Sequence, residues 1–98
     1  MARTRVVVGS EQRRAARRPR FQQEFGRKAA VALELIELTE LAWHDCYSEP
    51  TFPDEVLDDL LVVAGGDIAM LVHAAWLAVT DRRDLRMAAD QLRSAGDG

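Results

Sequence analysis

The sequence predicts an all-α protein: a small helical bundle of three or four helices behind an extended or disordered basic N-terminal arm. Three observations carry that reading. From Phe21 onward, apolar residues recur at the three-and-four spacing of an amphipathic helix. Nothing beyond the short Val6-Val7-Val8 run hints at the period of two that a strand needs. Pro50, Pro53 and Gly65-Gly66 fall between the apolar runs, where the chain must reverse. With 98 residues there is room for one domain, and a composition 48% apolar and 30% charged is that of a chain able to build a core. The expected organisation is an arm over residues 1–20, a helical domain over 21–95 and a frayed C-terminus over 96–98.

Residues 1–20 show no sustained helical period, and Pro19 is expected to end any turn begun at Ser10. The first helix is expected from about Phe21 to Tyr47. At 100° per residue Val31, Ala32, Leu35, Ile36, Leu38, Thr39, Ala42, Trp43 and Cys46 share one arc, which predicts the buried face. Glu34, Glu37, Glu40, His44 and Asp45 fall opposite, with Leu33 and Leu41 among them as an apolar seam in an acidic face. Such a seam points to a further contact such as a second subunit. Thr51 and Asp54 resemble a capping arrangement for a second helix, with Asp54 and Glu55 at its electropositive end. Val56, Leu57, Leu60, Leu61, Val63 and Ala64 are expected inside, and Asp54, Glu55, Asp58 and Asp59 outside.

Gly65-Gly66 supplies a stop because glycine enters the left-handed region cheaply, and Asp67 is a natural N-cap for a third helix ending near Thr80. That helix is apolar or small on every side except at His73, which predicts a central position. A fourth helix begins at Thr80 or Asp81, with Leu85, Ala88, Ala89 and Leu92 as its apolar stripe.

The net charge of −3 hides a division along the chain. Arg3, Arg5, Arg13, Arg14, Arg17, Arg18 and Arg20 stand against Glu11 alone in the first 20 residues, whereas Glu34 to Asp67 holds ten acids and no Lys or Arg. A cationic leader on an acidic body fits nucleic acid, an acidic partner, or the body itself. Without an aromatic residue before Phe21 there is no base stacking, so nucleic-acid contact would run through phosphates and depend strongly on salt. Arg82, Arg86 and Arg93 form a second basic stripe.

Cys46 is the only cysteine, so no intrachain disulfide forms and a reduced, cytoplasmic setting is expected; the preference for Arg over Lys and the many alanines point to a bacterial source. Arg17-Arg18 resembles part of a twin-arginine signal, but polar Gln22-Gln23-Glu24 follows, so neither export nor a membrane partner is expected. Glu37, Glu40 and His44 share a face on which bundles hold metals, yet Glu40 to His44 is an i, i+4 step rather than the usual Glu-x-x-His pair. A solvated acidic face is the expectation there, with no metal and no cofactor. His73 reads as a buried or boundary histidine bonded to a backbone carbonyl, Cys46 as core packing, and Trp43 and Trp76 as core aromatics or interface anchors. No phosphate-binding glycine loop is present, and no small-molecule substrate is inferred.

The stretch Val56 to Leu92, with its glycine stop, its Asp67 cap and the run Asp67-Ile68-Ala69-Met70-Leu71-Val72-His73-Ala74-Ala75, resembles the helical lid subdomain of AAA+ ATPases over about a third of the chain. The chain lacks the nucleotide-binding core and Walker lysine of those enzymes, so the resemblance implies an interaction module without ATPase activity.

The leading expectation is a non-enzymatic protein-interaction module, oligomeric or a subunit of a larger assembly, with Leu33, Leu41, Trp43 and Trp76 as candidate interface residues. The alternative is a nucleic-acid-binding regulator using the ten arginines named above.

Overall fold

The computed structural model describes the backbone of residues 2–97 and the side chains of residues 11–96. It is a small all-α bundle: α1 (Ala2–Phe25), a single 3-10 turn (Gly26–Lys28), α2 (Ala29–Tyr47), α3 (Asp54–Ala64), α4 (Ile68–Thr80) and α5 (Arg82–Asp97). No strand occurs among the described residues. α1 packs on α2, α2 on α4, and α3 on both α4 and α5.

The helix expected to start at Phe21 is two helices. Gly26, at φ +56°, cannot continue a right-handed helix, and the chain turns there before α2 begins at Ala29. Residues 11–20, expected as part of an extended arm, lie inside α1, and Pro19 sits within that helix. An interior proline removes a backbone donor and crowds the preceding turn, at a cost of about 3 kcal/mol. Contacts on both sides of it offset that cost: Arg17 pairs with Glu40, and Phe21 and Phe25 enter the core. The side chains of Arg3 and Arg5, and the C-terminal Gly98, lie outside the described residues.

α1 changes which face of α2 is buried. Leu33 is only 2% exposed and Glu40 is buried, while Val31, Leu38 and Cys46 of the expected inner arc are exposed. The apolar seam in the acidic face is therefore filled from within the chain at Leu33 but not at Leu41. Leu33, a candidate for contact with another subunit, is a core residue, whereas Leu41 is 63% exposed.

α3 ends as expected at Gly65, whose N–H returns to the Leu61 carbonyl, and Asp67 caps α4 by accepting from Met70 N–H at 3.3 Å. The Thr51 hydroxyl does not cap α3; it donates to Glu40, and Pro53 takes the N-cap position without a side-chain bond. Asp59, expected outside, is buried because Arg86 and Arg93 of α5 reach it at 3.3 and 2.8 Å. The fourth helix is separate from the third: Asp81 breaks helical geometry at φ −158° and ψ 86° and caps α5 by accepting from Arg83 and Asp84 N–H.

The α3–α4 turn also docks on α1. Gly66 has φ +80°, and a Cβ built there would stand 2.6 Å from the Glu24 carbonyl oxygen. Both the backbone conformation and the close approach demand glycine. Gly66→Ala is expected to lower stability by about 2 kcal/mol, read as a drop in denaturation midpoint with unchanged m-value. Gly65→Ala meets no atom within 4 Å and carries only the backbone strain.

Candidate interaction site

α4 was expected to be central because it is apolar all round; it is instead buried on one face only. Leu71, Ala74 and Ala78 point into the core, while Met70, Val72 and Trp76 are large exposed apolar residues, Trp76 at 60%. His73, expected to be buried or at a boundary, is instead exposed beside them, its ring stacked near that of Trp76 with centroids 6.5 Å apart. No Asp, Glu, Lys or Arg occurs in the 13 residues of α4. The result is an uncharged, aromatic-centred helix face open to solvent. Val31, Leu38 and Leu41 of α2 and Met87 and Leu92 of α5 are exposed as well.

Neighbouring helices fix this face in place. The Tyr47 hydroxyl donates to the Ala78 carbonyl at 3.3 Å, so the C-terminal ends of α2 and α4 are tied together. Trp43, also a candidate interface residue, is instead wholly buried one turn before Tyr47. Its ring lies 4.3 Å from Tyr47 and 5.4 Å from Phe52, centroid to centroid, with Arg82 stacked 5.6 Å over it. The loop residue Phe52 and the α5 cation close over Trp43, and neither contact is visible from helical spacing.

The arginines proposed for an acidic partner are largely engaged within the chain. Arg14 donates to both oxygens of Glu37 at 3.0 Å, and Arg17 donates to Glu40 at 2.8 and 3.1 Å. Arg13 approaches Glu40 at 3.6 Å, and Arg20 bridges Glu24 and Asp58 at 3.0 and 2.6 Å. Arg86 and Arg93 hold Asp59, and Arg82 lies 3.9 Å from Glu49 while stacking on Trp43 and Tyr47. Arg18 is exposed and has no ion-pair partner among the described residues.

Burial pushes the Glu40 carboxyl upward, but hydrogen bonds from Arg17 and Thr51 and the charges of Arg17 and Arg13 outweigh it and hold it below the usual carboxylate range. Glu37 and Glu40, weighed above as metal ligands, thus serve guanidinium groups, and the Nδ1 of His44 faces the Glu49 carbonyl at 3.1 Å. No cluster of three or more His, Cys, Asp or Glu side chains with metal-binding geometry occurs among the described residues.

An open cleft of about 530 Å³ lies between the start of α3 and the start of α5, bordered by Glu49, Glu55, Asp59, Arg82, Arg83 and Arg86. Its three acids and three arginines are balanced, and two of the arginines are already paired with Asp59 and Glu49. The cleft has no net charge to select an ion. Among the described residues, no helix is long and apolar enough to cross a membrane.

Compared with protein families, curated proteins and solved structures, the chain matches none. The surfaces themselves must therefore carry the functional reading. Of these, the outer face of α4 is the most unusual for a chain with 30% charged residues.

Proposed function

We propose that this chain is a non-enzymatic protein-interaction module that pairs with a second copy of itself through the outer face of α4. The supporting observation is Trp76, 60% exposed on a helix without a single charged side chain. Exposed tryptophan on an apolar helix face is a typical anchor, because it removes a large area from water while losing little rotamer freedom. An uncharged face also meets its own copy without like-charge repulsion, which most surfaces of this acidic body would not. The sole cysteine and the arginine preference favour the bacterial cytoplasm as its setting.

Light scattering on the full chain tests the reading. Wild type is expected to have the mass of two chains at concentrations on the order of 10–100 µM, and Trp76→Glu the mass of one, with its melting transition preserved. A wild-type chain that remains monomeric over that range contradicts the proposal.

A further inference from the structure

We infer that the segment from Glu11 to Arg18 is a detachable arginine strap that exchanges the carboxylates of its own body for the phosphates of nucleic acid. Pro19 divides α1 into two parts held by different forces. On its C-terminal side, Phe21 and Phe25 are buried in the core and anchor the helix. On its N-terminal side, no apolar residue from 11 to 18 is buried, and its contacts with the body include guanidinium–carboxylate pairs, Arg14 on Glu37 and Arg13 and Arg17 on Glu40, with Arg17 also donating to the Thr51 hydroxyl at 3.4 Å. Proline leaves the carbonyl of Ala15 without its normal helical donor, which weakens the helix where the anchoring changes character.

Ion pairs are the contacts that another polyanion can replace one for one. A duplex presents a charge about every 1.7 Å along its axis, so four arginines within six residues, Arg13, Arg14, Arg17 and Arg18, can each find a phosphate. Arg18, exposed and without an ion-pair partner among the described residues, offers the first contact. Alanine is the only apolar residue type from Glu11 to Arg18, so the strap has no hydrophobic face for lipid or for a peptide groove. Phosphate backbone is the partner its chemistry fits, with no sequence preference expected. In the docked state Glu37 and Glu40 stand in for phosphates and compete with the ligand. This inference does not depend on pairing through α4.

The test compares two variants of equal net charge by fluorescence anisotropy on a labelled DNA duplex of about 20 base pairs at low salt. Glu37→Gln removes the partner of Arg14 and so loosens the docking of the strap; Glu34→Gln removes the same charge from an exposed position elsewhere on α2. The first is expected to bind about fivefold more tightly than the second, and Arg13→Gln/Arg14→Gln/Arg17→Gln/Arg18→Gln to lose binding.

Equal affinity of the two acid variants, or binding to anionic vesicles with none to duplex, overturns the inference. A second measurement stands apart from variant folding. Spin labels at Gln12→Cys and Asp45→Cys in a Cys46→Ser background report the distance between the strap and α2. It is expected to lengthen when duplex is added, and an unchanged distance with duplex bound also overturns the inference.

Discussion

Replacing Trp43 by alanine is expected to destabilise the chain by about 4 kcal/mol, the range for deleting a buried aromatic side chain. Trp43 is wholly buried and joins three parts of the fold: α2, where it packs on Tyr47 one turn on; the loop residue Phe52; and Arg82 at the start of α5. Its removal opens a cavity that these neighbours fill only in part, and Arg82 loses one of its two aromatic faces. Domains of this size have about 5–15 kcal/mol in total, so the variant is expected to melt roughly 15–30 °C lower or not to fold at physiological temperature. Trp43→Phe provides the contrast. The indole Nε1 is buried with no hydrogen-bond partner among the described residues, so its loss removes an unsatisfied donor along with part of the ring. Thermal denaturation is expected to place that variant within about 1 kcal/mol of wild type.

Glu40→Ala is expected to cost about 3 kcal/mol, because it leaves the Arg17 guanidinium largely buried without its carboxylate. The same carboxylate makes the docking of α1 sensitive to acid. Its pKa in the folded chain is depressed, so its contribution to stability is complete above the usual value near 4.5 and is lost as pH falls from there through the folded value. Denaturant midpoints between pH 7 and pH 3 are expected to fall more steeply for wild type than for Glu40→Gln, which has no such proton to take up. Parallel curves would show that Glu40 is not the group responsible.

The parts of the fold that were legible in the sequence are those set by local rules. The Gly65 stop, the Asp67 cap and the break at Asp81 lie where backbone conformation and short-range capping dictate. Leu85 and Ala89 form the buried stripe of α5 that helical spacing gives. What was not legible depends on partners distant in sequence. Arginine reads as polar in any hydropathy pattern, so Arg13, Arg14 and Arg17 gave no sign that they pack on α2, and Glu40 and Asp59 gave no sign of burial. Once α1 covers Glu37 and Glu40, the buried arc of α2 turns toward Leu33, and Val31 and Leu38 are left outside. The candidate site was legible only in part. Trp76 and Leu41 are exposed, but Trp43 is enclosed by a loop and a cation that no periodicity reveals.

Emission from Trp76 in a Trp43→Phe background tests the α4 reading most directly, since that ring then reports alone on the proposed contact. Between dilute and concentrated protein, its maximum is expected to shift to the blue and its quenching by iodide to fall, as a second α4 covers it. A water-exposed spectrum, quenched equally at every concentration, would contradict the account.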